Sequence, residues 1–375
     1  MNQDLALRVL GQIMDWSDDR AREEFNWLRL MARLKYDGYG DFEAGVRFVE
    51  SLAAWLQQFS VADREVAYRF IRTSLVYIGP REMERLVEVF YPRTVRDQLH
   101  RSVATEMTIE QYRVLSTPEA EIRIGRLRRK TLFMGLSDGA RIDTIRHENA
   151  GVLRNEQFVQ GTQVDDDKWK DLLESLRTDL KDDTALFKFV YLIDDFVATG
   201  TSFLRFDKET SKWKGKLTKF RDSVTSANER LHVLDPDWEL CVHHHLASAA
   251  GAGALIRSEA AVREAFAADG WAAEVHITFG SVLPESLPID PADERFIDLC
   301  RLTQTYYDPA LRTRHTDVGG VAHLGLGYGG CALPVVLDHN TPNNSVALLW
   351  AETQGSDDPF VPSMRPLFRR RQRHT

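Results

Sequence analysis

The sequence predicts an α/β protein: a mostly parallel sheet, preceded by an all-helical N-terminal region and followed by a C-terminal antiparallel strand pair. Three observations predict it. Up to about residue 128 the apolar residues recur at three- and four-residue spacing, the period of an amphipathic helix. From Lys130 onward, strand-like runs alternate with helical stretches, the pattern of a sheet built from βαβ units. The run Phe187–Ile193 is apolar except for Lys188, as suits a central strand covered on both faces.

In the first 128 residues the series Phe42, Val46, Val49, Leu52, Leu56 carries the helical period. Breaks at Tyr36–Asp41, Gly79–Pro80 and Tyr91–Pro92 divide this part into five to seven helices. Trp27, Trp55 and Tyr68 keep the same spacing and are expected in the core. Residues 1–128 are therefore expected to form a separate helical domain, regulatory or partner-binding. Residues 129–360 follow as the α/β domain, with strands near 131–136, 187–194, 238–245 and 272–279 and helices near 165–178, 203–230 and 247–268. Two further strands, 333–338 and 345–350, are joined by a segment rich in Asn and Pro and complete the antiparallel pair. Residues 361–375 form a basic tail containing Arg369, Arg370, Arg371 and Arg373.

Composition narrows the function classes. With 43% hydrophobic and 28% charged residues, the 375-residue chain is expected to bury a sizeable core. No run approaches the ~20 apolar residues of a membrane span, and the N-terminus lacks a basic segment leading into an apolar one. A cytoplasmic protein with no membrane partner is expected. Cys241, Cys300 and Cys331 lie too far apart for a thiolate metal site, and no metal ligands are assigned. The net charge of −8 excludes a broad attraction to nucleic acid and leaves only the basic tail for such contact.

The chemistry is concentrated after the most apolar strand. Asp194 and Asp195 end it, two residues follow, and Ala198, Thr199, Gly200, Thr201 and Ser202 form a small loop before the expected helix. Ligands of open α/β sheets bind at the carboxyl ends of strands, where a helix N-terminus favours an anion. Gly200 allows close approach of backbone to a phosphate, and the hydroxyls add hydrogen bonds. The neighbouring carboxylates suit sugar hydroxyls or a bound cation. Together these groups describe a site for a ribose phosphate.

This apolar strand, acidic pair and Thr-Gly-x-Ser/Thr loop resemble the signature of the type I phosphoribosyltransferases. The resemblance implies a phosphoribosyltransferase-type sheet, with Asp194 and Asp195 acting on the ribose hydroxyls of phosphoribosyl pyrophosphate and Ala198–Ser202 enclosing its 5′-phosphate. It also implies Mg2+ as cofactor. A second loop of that family binds pyrophosphate, and Ser137, Asp138, Gly139 and Arg141 stand in the corresponding place. With the stretches Gly135–Asp143, Leu326–Gly330 and His339–Trp350, the likeness extends to a phosphoribosyltransferase-like family of bacterial anti-phage and conflict-system gene clusters. This likeness implies a nucleotide-directed role in antiviral defence. Asn340, Asn343 and Asn344 are either readers of a base edge or turn residues of the hairpin.

Two other functional classes fit parts of the sequence. A protein that binds ribose phosphate as a sensor or regulator of a partner, without turnover, needs the same loop, since fold does not dictate activity. An α/β-type serine hydrolase would use Ser137 within Gly135-Leu136-Ser137-Asp138-Gly139, with Asp338 and His339 as candidate partners, but the residues before it read as helices where that fold needs strands. Gly325–Gly330 fits a dinucleotide-binding pattern, yet a strand-like run follows it instead of a helix. His243, His244 and His245 lie on an expected strand and are assigned to structure or to the pocket lining.

Overall fold

The computed structural model describes residues 3–266, 271–355 and 361–370, and the chain divides into two compact units. One comprises Met1–Met83 and Ser286–Thr375, the other Glu84–Glu285. This division replaces the expected boundary at residue 128. Its cause is where the apolar faces find partners: the N-terminal segments up to Tyr77 contribute to one core, and those from Val87 onward to the other.

In the discontinuous unit, helices Gln3–Ile13, Asp18–Leu34, Phe48–Gln57 and Val61–Thr73 share one core with residues from the end of the chain. Strand Val76–Ile78 pairs in parallel with Val335–Leu337. Trp55 Nε1 donates to the Leu348 carbonyl at 2.8 Å, and the Phe368 ring stacks against Phe48 with centroids 5.8 Å apart. Leu367 and Phe368 are fully buried, so the beginning of the expected basic tail is core. Arg369 pairs with Glu43 and Glu352, and the Arg370 guanidinium lies over Trp350. Arg371 and Arg373 lie outside the described residues.

The expected strand 333–338 narrows to Val335–Leu337 and turns through an antiparallel bridge between Leu337 and Asn340. Residues 345–350 contain the short helix Ala347–Trp350 where a strand was expected. All four helix residues are buried, and such a run gives no period that separates helix from strand.

The second unit carries the sheet. Its strands are β1 (Thr131–Gly135), β2 (Phe158–Val159), β3 (Phe187–Val197), β4 (Arg205–Asp207), β5 (Lys212–Lys214), β6 (Leu234–Ala247) and β7 (Glu274–Val282). Five of them form one parallel sheet in the order β2-β1-β3-β6-β7. The other two form an antiparallel hairpin of their own.

Among the helices that accompany the strands are α1 (Arg96–Met107), α2 (Pro118–Arg129), α3 (Ile142–Glu148), α4 (Asp166–Leu180), α5 (Lys216–Leu231) and α6 (Ala249–Phe266). One sheet face, with Phe133, Phe189, Tyr191 and Ile193, packs against Phe90, Val95 and Leu99 from the segment expected in the N-terminal domain, and against Ile142 and Ile145 of α3. The other face, with Leu132, Val190, Leu192 and Val242, is covered by Trp169 of α4, Phe220 of α5 and Leu255 of α6. Each such large side chain contributes about 1.5–3 kcal/mol when fully removed from water. Central β3 is sandwiched as its apolar sequence demands.

Candidate functional site

The acidic pair sits where β3 runs out of the sheet interior. Successive side chains of a strand point to opposite faces, so Asp194 and Asp195 leave the strand on different sides. Asp194 is paired in register with His244 on β6. Its carboxylate is buried and fully engaged. Lys216 Nζ, in the first turn of α5, donates to Asp194 Oδ2 at 2.5 Å. Asp194 Oδ1 accepts from the Ser137 hydroxyl and from the Asp195 backbone N–H at 3.2 Å. Burial raises the Asp194 carboxyl to about 6; Asp195 pushes in the same direction, while Lys216 and Ser137 oppose it.

Asp195 is half-buried and lies against the loop after β1. A Cβ built on Gly139 would stand 2.4 Å from Asp195 Oδ2, so the backbone of that loop touches the carboxylate directly. Ser137 caps the short turn Asp138–Ala140, accepting from the Gly139 N–H at 3.2 Å. Arg141 then adopts a left-handed backbone with φ 58°, uncommon for a residue with a side chain and a sign that the surrounding fold imposes it. From β6, His245 Nε2 donates to the Ala140 carbonyl at 3.3 Å and holds the same loop.

The second loop, Ala198–Ser202, is braced from α6. The Ser248 hydroxyl donates to the Ala198 carbonyl at 2.7 Å and itself accepts from the Gly251 N–H at 2.9 Å. Any Cβ at position 251 would meet the Val197 carbonyl at 2.7 Å, so the helix start lies tight under the loop. Thr199 and Thr201 hydroxyls are 2.9 Å apart, and Gly200 takes a φ of 75° that favours glycine.

The helix expected at 203–230 does not follow the loop directly. Phe203 and Leu204 N–H groups donate to the Gly200 carbonyl at 3.0 and 3.1 Å, closing one turn. The chain then leaves as the β4–β5 hairpin and returns at Gly215. Lys216 and Leu217 N–H groups donate to the Ser202 and Phe203 carbonyls at 3.0 and 3.1 Å, so the hydrogen-bond ladder resumes across the detour. The hairpin sequence, dense in Lys, Asp and Glu, reads as an exposed helix face and gave no strand signal. Lys216 was missed for that reason, although Gly215 inside the presumed helix marks the break.

A cleft of about 510 Å³ opens beside these groups, lined by Ser137, Asp138, Lys216 and Lys219 and by Gln160, Thr162 and Gln163 after β2. The last three were also unforeseen, because a two-residue edge strand has no readable pattern. A larger cleft, about 850 Å³, surrounds Gln98, Glu239 and His276 and contains none of the motif residues. Glu239 pairs with Phe189, five strand positions and thus about 16 Å before Asp194.

Asn340, Asn343 and Asn344 belong to the other unit and serve its backbone. Asn340 closes the turn with Leu337, the Asn343 carbonyl accepts from Tyr328 N–H at 2.7 Å, and Asn344 Nδ2 donates to the Tyr328 carbonyl at 3.1 Å. Of the two readings of this segment, the turn is the one with contacts behind it. Asp338 and His339, the partners considered for a hydrolase, also lie there and bind one another at 2.9 Å. The Ser137 hydroxyl has a carboxylate as its partner, not the histidine base that a serine nucleophile uses.

Among the described residues no group of three or more His, Cys, Asp or Glu is gathered to hold a metal ion. Magnesium commonly takes one or two protein carboxylates and completes its shell with water and substrate phosphates. Asp195 could supply one such carboxylate, and both oxygens of Asp194 are engaged by Lys216 and Ser137.

The family model PRTase-CE matches residues 52–370. The chain belongs to the PRTase-CE family. The match to this phosphoribosyltransferase-type family covers all of the unit that carries the parallel sheet and part of the discontinuous one. Neither the curated proteins nor the solved structures contain a match to this PRTase-CE chain. Among its described residues no helix is long and apolar enough to cross a membrane.

Proposed function

We propose that this PRTase-CE protein binds phosphoribosyl pyrophosphate or a nucleotide at the carboxyl end of β3 and transfers the phosphoribosyl group. One observation carries the reading: Ser137 and Gly139 bring the loop after β1 onto the same two carboxylates that precede the Ala198–Ser202 loop. Two candidate phosphate loops thus share one acidic pair. Loops of this kind present backbone N–H groups and hydroxyls to anions. In this reading Asp195 accepts from the ribose hydroxyls, Thr199, Gly200, Thr201 and Ser202 enclose the 5′-phosphate, and Ser137–Arg141 faces the pyrophosphate.

The reaction is a displacement at the anomeric carbon. A base nitrogen forms the new bond to C1′, and the C1′–O bond breaks, its electron pair leaving with pyrophosphate. The protein's work is to fix the sugar between the loops and to stabilise charge. Magnesium, when bound with pyrophosphate, would neutralise the leaving group, with Asp195 as the chain's contribution to holding it. The discontinuous unit is the regulatory or recruiting part in this proposal, and the likeness to conflict-system proteins extends it to a role in bacterial antiviral defence.

The test is product analysis with isotope-labelled phosphoribosyl pyrophosphate, magnesium and pooled bases and nucleotides, alongside thermal melts with the same ligands. A raised melting temperature and labelled nucleotide with released pyrophosphate are expected. A shifted melt without product identifies a sensor that binds and does not turn over. An unshifted melt with every ligand removes the ribose-phosphate site.

A further inference from the structure

The cleft of about 850 Å³ beside α1, β6 and β7 has the size of a small-molecule site and holds none of the groups used so far. On its sheet side, Glu239 of β6 stands in register with Glu274 of β7. Two carboxylates at paired strand positions repel one another unless positive charge is supplied. Arg263 of α6 supplies it to Glu274 at 2.7 Å. Glu239 has no arginine or lysine within ion-pair distance among the described residues. Its side chain is 16% exposed, and Oε2 accepts from Gln98 Nε2 of α1 at 3.1 Å and from His276 Nε2 at 2.8 Å, an amide and a ring that is uncharged in its neutral form. Oε1 has no hydrogen-bond partner among the described residues. The other charged side chains lining the cleft are matched: Arg101 with Asp97, Glu106 with Arg123, Glu259 with Arg263 and Lys188 with Asp235.

We propose that this cleft is a second ligand site, for a small organic molecule carrying a protonated amine, and that Glu239 receives the ammonium. Gln98 and His276 fix the carboxylate through one oxygen and leave the other for the ligand. An ammonium at that oxygen offsets the repulsion from Glu274 as Arg263 does from the other side. An anionic ligand finds no such counter-charge, since the cations of the lining are already paired. The hydroxyls of Ser102 and Thr105 on α1 line the same cleft and serve the polar remainder of the molecule. Glu239 lies about 16 Å along the sheet from Asp194, so amine binding here stands or falls independently of any ribose phosphate bound at the acidic pair.

The experiment is calorimetric titration of the full chain with tyramine and tryptamine, each against its N-acetyl derivative, which keeps the ring and loses the charge. At least one amine is expected to bind, at least about ten-fold more tightly than its derivative, and Glu239→Gln to remove that difference. Asp195→Asn is expected to leave it unchanged. Loss of amine binding in that variant moves the ammonium to the acidic pair and overturns the proposal. Equal binding of amine and derivative, or binding of neither, overturns it as well. The melting temperature of the ligand-free variant supplies a second readout that is independent of the probe. A carboxylate kept for a ligand is uncompensated while the cleft is empty, so Glu239→Gln, which retains an acceptor for Gln98 and His276, is expected to melt at or above the wild-type temperature. Melting well below wild type assigns Glu239 to structure, through Gln98 and His276, and overturns its role toward a ligand.

Discussion

Gly139 and Asp195 are in contact: a methyl group on residue 139 would lie 2.4 Å from a carboxylate oxygen of residue 195. Gly139 is not among the positive-φ residues, so alanine suits its backbone and the clash alone is at stake. Gly139→Ala is expected to displace the Asp195 carboxylate and weaken ribose 5-phosphate binding about ten-fold, with a small change in melting temperature. Unchanged affinity by calorimetry would show that the contact is only packing.

The two aspartates should separate in mutagenesis. Asp195→Asn removes a half-buried acceptor and is expected to cost about 1.5–3 kcal/mol of ligand binding while the fold persists. Asp194→Asn instead strips the charge from a buried carboxylate held by Lys216 and Ser137. Its main effect is expected in stability, about 1–3 kcal/mol in urea denaturation. Equal effects of both changes on binding and none on stability would return Asp194 to the ligand.

Truncation tests the division of the chain. A fragment of residues 129–375 lacks Phe90, Val95 and Leu99 over the sheet and the helices that share a core with Leu348 and Phe368. It is expected to be insoluble. Residues 84–285 keep a core of their own and are expected to fold with a cooperative transition by circular dichroism. A soluble, cooperative 129–375 fragment with no folded 84–285 fragment would reverse the division.

Acid should destabilise the protein through the histidine run on β6. Burial lowers His244 to about 3, His245 to about 4 and His243 well below its ordinary value. Each folded-state value lies below the unfolded one, so this stability is present above the ordinary histidine range near 6.5 and is lost as pH falls toward the lowered values. Asp194, raised to about 6, acts oppositely, since its contribution is lost as pH rises through that value. The histidines outnumber it. Unfolding free energy in urea is expected to fall below about pH 6.5, with a slope of about 1.4 kcal/mol per pH unit for each histidine, and His244→Phe should lower that slope by one proton. A flat profile between about pH 7 and about pH 5 would contradict this.

Much of the second unit was readable because its strands are extreme. Phe187–Ile193 is apolar except for Lys188, and a strand covered on both faces suits that run. The position of Asp194 and Asp195 at its end followed from the same run. What could not be read is pairing between distant segments: nothing local in Val76–Ile78 announces Val335–Leu337 as its partner, and Phe368 in a basic stretch gives no hint of the ring it stacks on. Lys216 was hidden differently. Its hydrogen-bonding neighbours in the ladder are Ser202 and the turn before the hairpin, so its place at the site depends on a detour that local spacing read as helix.

The detour has a consequence for chain continuity. The turn Gly200–Leu204 and the helix from Lys216 are joined by hydrogen bonds as well as by the peptide chain, and Lys208–Thr210 between β4 and β5 carries no part of the ladder. Covalent linkage at the hairpin tip is therefore redundant for the geometry of the acidic pair. A polypeptide divided there into two coexpressed pieces would re-form the site by complementation, with Asp194 and its lysine contributed by different molecules.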